Sequence, residues 1–480
     1  MAVDAAPSVA ARPIPRVPGA LPLVGHAPAL IRDPFGFFLS LREHADDRGL
    51  VRIRLGSMPV YMATTPERLH EVLVDKGRWF EKGRFFQRLK RLAGEGLSTA
   101  DGELHKRNRR FLAPLFGAQR IKDYSLVMSR NARRLSQSWQ PDQQVDIYKE
   151  AAAYSIDSIA MSLFSTDVGT PAVETIRTEL PVLLDMLLKR AASPKILDRL
   201  PVRYNRVFDR ASAQLTGVID QVITTAHAGG HAEEHDDLLA QLLRAQVHDD
   251  VPVRLSDVQI RDEVATLLFA GAETTASTLA WAWHYLAHHP EVDRQVVDEV
   301  LEVVGPDRAV TIEDVPRLTV IRRVLDEVIR LHGVTFLMRR STAPVTLADV
   351  TLPAGTEVAF SMYAIHRDPE AFEDPHTFNP DRWLDPGAKR SFMPFGGGNR
   401  KCIGDQFALA ETTIAVAEVL RDWRMTPAGG HTPQQVISAV ARPDRVPMTV
   451  RPRNPRTQPA EQLNSEEDRH AADYRRQRYS

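Results

Sequence analysis

Cys402 is the only cysteine in the chain, so its chemistry can be approached by elimination. No intramolecular disulfide, multi-cysteine zinc site or cysteine-held iron–sulfur cluster is open to it. A buried inert thiol, a nucleophile and a single metal ligand remain. It stands in Pro394-Phe395-Gly396-Gly397-Gly398-Asn399-Arg400-Lys401-Cys402-Ile403-Gly404, ahead of a helical run through Phe407, Leu409, Ala410, Ala415, Val419 and Leu420. The positive end of that helix predicts a lowered thiol pKa and a standing thiolate. The glycines allow a tight turn that aims N–H groups at the sulfur, and Gly404 leaves room for a flat ligand against the backbone. A phosphate-cradling loop would need Gly-Lys-Ser/Thr at the helix start, and Gly404-Asp405-Gln406 does not provide it.

Other reactive residue types recur at helical spacing. Ala270-Gly271-Ala272-Glu273-Thr274-Thr275 interrupts an apolar helical stretch with a glycine, an acid and two threonines, all poor choices for a helix interior. A threonine bonding back to a carbonyl at a kink is the purely structural account of that segment. Glu327 and Arg330 are one turn apart and share a helix face, which any charged helix can offer. Phe378-Asn379-Pro380-Asp381-Arg382-Trp383 follows downstream, and His105-Lys106-Arg107-Asn108-Arg109 upstream.

These residues need elements to hold them. Val51–Leu55 and Val60–Ala63 alternate and read as a hairpin across Gly56 and Ser57. Helical periodicity dominates from Pro66 to about Arg340. Within it, Asp257–Ala287 carries no proline, opens at Ser256 with Gln259 placed for a capping box, and stops before Pro290. At that length it runs roughly 45 Å, and apolar residues nearly surround its middle, so it reads as a central buried helix. Short strands follow Arg340: Val345–Leu347, Val350–Leu352 and Val358–Phe360, broken at Pro353-Ala354-Gly355. An irregular, proline-dense stretch runs from His366 to Pro394. The expected fold class is mainly α with a smaller β region. Residues 1–14 read as a flexible lead-in, 15–452 as one catalytic domain, and 453–480 as a disordered polar tail.

A formal net charge of -1 excludes the long-range positive field of a dedicated nucleic-acid binder. No apolar run near the N-terminus is long enough to span a bilayer or form a signal h-region, so no membrane anchor and a cytoplasmic location are expected. Asp236-Asp237 could suggest metal–diphosphate binding, but a third acid is missing, and a place at a helix N-terminus before Leu238-Leu239 accounts for the pair.

The spacing Phe395-x-x-Gly398-x-Arg400-x-Cys402-x-Gly404 resembles the haem-binding loop of the cytochrome P450 superfamily. The resemblance covers nearly the whole chain, from Pro15 to about Arg451, and is greatest to soluble bacterial terpene-oxidising members. It implies the fold of that family, with the long helix crossing over haem b, Cys402 as the axial iron ligand, and Pro394, Phe395, Gly396, Arg400 and Gly404 around it. It makes Glu327, Arg330 and Arg382 a buried network supporting the haem loop. Ala270 and Gly271 become the oxygen-binding groove, with Thr274 and Glu273 as proton-handling residues. His105, Arg109 and either Arg339 or Arg340 are implied at the propionates.

The resemblance further implies insertion of one atom of O2 into an apolar substrate, terpene-like in preference to a polyketide or fatty acyl chain. A peroxide-using enzyme of the same type is the alternative, as is a non-catalytic haem sensor or carrier. Phe85, Phe86, Leu89, Leu267, Ala270, Val334, Phe336 and Met338 are the implied substrate lining. No flavin or nicotinamide fingerprint is present, so electrons are expected from NAD(P)H through a ferredoxin reductase and ferredoxin. That ferredoxin would dock on Lys106, Arg107, Arg110, Arg400 and Lys401, which could equally be a solvated face. The chain departs from the family at His332-Gly333, where a Pro-Pro pair is common, so the backbone bordering the substrate pocket is expected to be freer.

Overall fold

A computed structural model describes residues 12–84, 86, 89–90, 94–164, 166–192, 200–235, 237–244 and 255–453. The lead-in before residue 12, Phe85, Asp236 and the tail beyond residue 453 lie outside the described residues. The fold is mainly helical, with a smaller sheet region.

Its axis is the helix Asp257–His288, one residue longer than the sequence indicates. Ser256 Oγ accepts from Gln259 N (3.3 Å) while Gln259 Oε1 accepts from Ser256 N (2.9 Å), the reciprocal capping box expected there. Val264, Leu268, Leu279, Ala280, Ala282 and Trp283 are fully buried. They pack against the helices Ile147–Leu163, Thr319–His332 and Asp405–Asp422, so apolar surface is removed from water along most of this helix. Each such large side chain contributes about 1.5–3 kcal/mol.

The strands are β1 (Leu50–Leu55), β2 (Met58–Ala63), β3 (Phe80–Lys82), β4 (Gln143–Asp146), β5 (Leu337–Ser341), β6 (Val345–Leu347), β7 (Val350–Leu352), β8 (Glu357–Phe360), β9 (Trp423–Pro427), β10 (Gln435–Ile437), β11 (Ala441–Pro443) and β12 (Pro447–Pro452). The largest sheet has the order β1-β2-β8-β5-β3. Only β2 and β8 pair in parallel. A second sheet runs β4-β12-β9, while β6-β7 and β10-β11 stand as pairs. The first hairpin turns at Gly56, whose φ of 62° suits a residue without Cβ.

Two expectations need correction. Helical periodicity does not persist to Arg340: the helix ends at His332 and β5 begins at Leu337. Gly333 marks the change, since a Cβ there would lie 2.4 Å from Ile329 O. β9 to β12 were also not anticipated. Each is three to six residues long, and although Trp423 and Met425 of β9 and Met448 and Val450 of β12 alternate inward, two apolar positions are too few to mark a strand in sequence.

Candidate active site

The Cys402 loop is a closed turn. Cys402 N donates to Phe395 O at 2.9 Å, Gly396 N to Met393 O at 3.1 Å and Lys401 N to Gly398 O at 3.2 Å. Gly396 and Gly398 have φ of 70° and 64°, and a Cβ on Gly398 would lie 2.1 Å from Leu73 O. Glycine is therefore required at 398 by conformation and by space. At Gly404 a Cβ would make only ordinary contact with Phe116, so no protein atom demands glycine there. The helix Asp405–Asp422 follows with Gly404 at its N-cap.

Helix placement alone does not set the thiol's ionisation. Burial pushes the Cys402 thiol up, outweighing the Gly404 N–H, Arg109 and Lys401, which act in the opposite direction; Asp405 adds to the rise. The direction is opposite to the one that the helix dipole alone predicts. Cys402 itself is exposed, and a cationic centre at the sulfur would favour its thiolate, as a metal-ligand role requires.

Behind the loop sits a saturated charge network. Glu327 and Arg330 are both fully buried. Glu327 Oε1 accepts from Arg330 Nη2 (2.8 Å), Arg382 Nε (3.0 Å) and Asn379 N (3.0 Å). Its Oε2 accepts from Arg330 Nε (2.9 Å) and Trp383 Nε1 (3.1 Å). Arg330 also donates to the carbonyls of His366, Pro375 and Thr377. His366 Nε2 in turn lies 3.3 Å from Met393 N, two residues before Phe395, so the network reaches the loop through one imidazole. Trp383 and His366 were not singled out in the sequence, although the indole adjoins Arg382 in the motif.

On the central helix, Ala270 is exposed and Gly271 and Thr274 half-exposed between long buried stretches. A helix interior opens in this way only where it borders a recess. Thr274 Oγ1 donates to Ala270 O at 2.8 Å, the back-bond that the structural account foresaw. Glu273 is turned the other way, buried, with the Ser438 hydroxyl and Ala439 N–H at its carboxylate and Arg442 Nε at 3.5 Å. Burial raises its pKa against those partners. Arg442 continues to Asp185 at 2.8 Å, which is half exposed. One turn of sequence after Glu273's neighbour Thr275 there is no further acid, but Glu411 of the Cys402 helix lies beside the Thr275 hydroxyl, fully buried and held far above the usual carboxylate range by desolvation.

A cation cluster gathers beside the loop. Lys82 of β3, His105 and Arg339 of β5 are buried and electrostatically coupled to Arg400. Burial, then Arg400 and Lys82, hold His105 down at about 3, so it is a neutral ring. Burial and Arg400 hold Arg339 at about 10. Burial and the same arginines push Lys82 well below its ordinary value. Against them stands chiefly Asp101, which accepts from Arg400 Nη2 (2.6 Å) and Lys82 N (2.9 Å). The cluster is short of negative charge, and Arg400 Nε has no hydrogen-bond partner. A group carrying two carboxylates, as haem does, fits that deficit. Lys82 was missed because a lone lysine in a short strand carries no sequence signal.

Strand parity decides among several candidates. Arg339 pairs opposite Val358 and Arg340 opposite Glu357, so the two arginines point to opposite faces. Arg339 joins the cluster, whereas Arg340 lies by Glu357 and Gly355 and is corrected. Met338 shares the Arg340 face and is buried in the core with Phe38 and Met62, and Phe336 stacks on Phe38 at 5.5 Å. Phe336 remains half-buried, while Met338 faces away from Arg339. Leu337, half-buried, shares the face of Arg339. Val334 is half-buried and bridges Val440. Leu267 is buried, and Phe86 and Leu89 are half-buried.

The surface basic group is smaller than expected. Lys106, Arg110 and Lys401 are exposed, with Lys106 near Glu103 and Lys401 near Asp405. Arg400 turns inward to Asp101 and Ala100 O, and Arg107 has a buried Nε. Arg109 Nη1 donates to Lys401 O at 2.8 Å, tying its helix to the loop. Asp237 caps the next helix through Ala240 N (2.8 Å) and faces His231, the capping role expected of the pair. No group of metal-ligating acids and histidines occurs among the described residues.

The chain is 38% identical over 445 residues to cyclooctat-9-en-7-ol 5-monooxygenase of Streptomyces melanosporofaciens, covering 91% of this chain and 95% of that protein. It is 40% identical to cyclooctatin synthase of the same organism, covering 89% and 94%, and 34% identical to pentalenene oxygenase of Streptomyces avermitilis, covering 85% and 90%. The cytochrome P450DA heme domain superposes with a TM-score of 0.81 at 27% identity, covering 92% of this chain and 98% of that one. With the cytochrome P450 family model matching residues 15–447, the chain belongs to the cytochrome P450 family and is an oxidoreductase of that family.

Proposed function

We propose that residues 15–452 form one haem-thiolate monooxygenase unit that oxidises a cyclic terpene-like hydrocarbon or alcohol, with Cys402 as axial ligand. The observation that carries the reading is the buried cluster of Lys82, His105, Arg339 and Arg400 beside the Cys402 loop, rich in cation and poor in carboxylate. Lys82, Arg339 and Arg400 would bind the propionates, with the neutral His105 donating a ring N–H. Bound haem supplies the oxygen-activating iron, made electron-rich by its thiolate.

The protein's part is placement and proton handling. The Glu327 network fixes the loop from behind, so that the sulfur does not drift. Thr274 Oγ1, on the open side of the central helix, gives its own proton to Ala270 O and would offer its lone pairs to a reacting O–H group. Glu273 is the neighbouring acid that would supply protons, its charge set by Arg442 and, beyond it, by Asp185 at the surface. Apolar residues such as Leu267, Val334 and Leu337 would line the substrate side and exclude water. The terpene class is supported by the relatives' names, which denote oxidation of cyclooctatenol and pentalenene. Electrons would come from NAD(P)H through a reductase and an acidic ferredoxin docking at Lys106, Arg110 and Lys401.

Two measurements test this. Cys402→Ser should abolish the red-shifted Soret band of the ferrous–CO complex, and persistence of that band sinks the ligand assignment. A spectral titration should give a low- to high-spin shift with cyclic terpenes at lower concentration than with fatty acids or macrolides. The reverse order rejects the terpene class.

A further inference from the structure

Two adjacent acids near the start of the central helix clasp the segment 94–99. Asp262 Oδ2 accepts from Glu95 N at 2.8 Å, and Glu263 Oε2 accepts from Leu97 N at 2.9 Å. The backbone lies flat on the helix here: a Cβ on Gly94 would stand 2.0 Å from Asp262 Cγ, and one on Gly96 2.2 Å from Thr266 Oγ1. The other side of the segment reaches the cation cluster, because Lys82 Nζ donates to Leu97 O at 2.7 Å. Through its own N–H and C=O, Leu97 therefore joins a buried acid of the central helix to the buried lysine assigned above to the propionates.

The acid so joined has one oxygen to spare. Glu263 Oε1 is buried and has no hydrogen-bond partner among the described residues, so a proton can settle on it without breaking the bond from Leu97 N. Burial raises the Glu263 pKa to about 7; the Leu97 N–H, Lys82 and Arg107 of the helix Gly102–Leu112 oppose the rise, and Asp262 adds to it. Asp262 is half-exposed and is itself acted on by Arg261, Glu95 and Asp220. It is the solvent-side neighbour of Glu263.

A carboxyl that titrates near neutrality responds to any change of charge close by, and more strongly where water is excluded. Reduction of a haem iron adds one negative charge to the group whose carboxylates Lys82 would bind. That charge offsets part of the lysine's pull on Glu263 and raises the affinity of the carboxylate for a proton. We propose that Glu263 takes up one proton from water when one electron from an external one-electron donor reduces the bound haem iron. The electron turns ferric iron into ferrous iron, the proton turns the Glu263 carboxylate into carboxylic acid, and the charge of the buried region is unchanged. This uptake is separate from the Glu273 and Thr274 pair, which serves oxygen. It rests on the reading of Lys82, Arg339 and Arg400 as propionate partners.

The test is a spectroelectrochemical titration of the haem-loaded full chain between about pH 6 and about pH 9. The parent's reduction potential should fall as pH rises above about 7, approaching a tenfold change in the reduction equilibrium per pH unit, as one proton per electron requires. Glu263→Gln should cut that slope at least about threefold. Asp262→Asn removes a charge that raises Glu263 and should move the sloping range to lower pH. The reduced-minus-oxidised infrared difference spectrum of the parent, which needs no variant, should gain the C=O band of a protonated carboxyl. A potential indifferent to pH, a slope kept in Glu263→Gln, or no carboxyl band on reduction overturns the proposal. With a normal ferrous–CO band any of these leaves the haem-thiolate reading standing, whereas absence of that band in the parent sinks the reading and the proposal together.

Discussion

The rings of Trp281 and His332 stack face to face, 3.9 Å between centroids and 13° apart in plane. The imidazole uses both nitrogens: Gln435 Nε2 lies 3.1 Å from Nδ1, and Tyr285 Oη 2.9 Å from Nε2. With Gln435 donating, Nδ1 accepts and Nε2 carries the proton toward Tyr285. Tyr363 extends the chain by donating to Gln435 Oε1 at 2.9 Å. This chain therefore anchors the helix end to β10 with side-chain hydrogen bonds. The β10–β11 pair is further tied down by Ala441 N to Gly333 O (3.2 Å) and Trp281 Nε1 to Ala441 O (2.8 Å). Sequence alone suggested that Gly333 frees this backbone; the structure shows it pinned.

His332→Leu removes that anchor and leaves the half-buried Tyr285 hydroxyl and Gln435 NH2 without the imidazole. The expected cost is about 2–4 kcal/mol in urea unfolding of the haem-loaded protein. A loss under about 1 kcal/mol would mean that the stacking, which leucine partly replaces, matters more than the hydrogen bonds.

Glu327→Gln tests the support of the Cys402 loop. It keeps the shape but leaves Arg330, fully buried, without its counter-charge. Breaking such a pair costs about 3–5 kcal/mol. The expected outcome is low haem content and a ferrous–CO spectrum shifted toward the inactive, shorter-wavelength form. Normal haem content and spectrum would show that the carbonyls of His366, Pro375 and Thr377 suffice to hold Arg330.

Lys82→Met probes the propionate side. The lysine ammonium donates to Leu97 O at 2.7 Å within the cation cluster. Removing a positive charge near the iron should lower its reduction potential by an amount on the order of tens of millivolts, and haem transfer to apomyoglobin should quicken. A potential unchanged by the substitution would place Lys82 outside the haem's field.

How much of this was legible beforehand follows the physics of each signal. The central helix was readable to within a residue because its cap, length and apolar girth are local properties. Cys402 and the Glu327, Arg330 and Arg382 set were readable because their spacing is fixed by one loop and one helix turn. β5 was lost because Arg339-Arg340 next to a helix continues a charged helical face in sequence, and only pairing with β8 reveals the alternation. Lys82, Trp383, His366 and Arg442 gain meaning solely from partners distant in sequence, so no local pattern marks them.

Glu263 gives a pH-dependent prediction. Burial raises its pKa to about 7, against the Leu97 N–H that it accepts at 2.9 Å. A carboxyl raised above its unfolded value favours the fold most below about pH 4.5, and that contribution is lost as pH rises through about 7. Glu263→Gln stays neutral and keeps an acceptor for Leu97 N. It should match the parent's thermal stability near pH 5 and exceed it at pH 8 by about 1–3 kcal/mol. A difference independent of pH would falsify the raised value.

Arg442 offers the sharpest test of the proton route. Burial raises the Glu273 pKa, the Ser438 hydroxyl and Arg442 lower it, and Asp185 raises it. Removing Arg442 should therefore push Glu273 higher still, and removing Asp185 should let it fall. If turnover needs Glu273 to exchange a proton with solvent, the acidic limb of the rate profile should move toward neutral pH in Arg442→Leu and away from it in Asp185→Asn. The product formed per reducing equivalent should drop in Arg442→Leu, because oxygen reduced without timely proton delivery is lost as peroxide or water. The ferrous–CO spectrum should stay unchanged in both variants, since neither residue touches the Cys402 loop. Parallel shifts of the two limbs in one direction would show instead that the β11 segment carrying Arg442 has merely loosened.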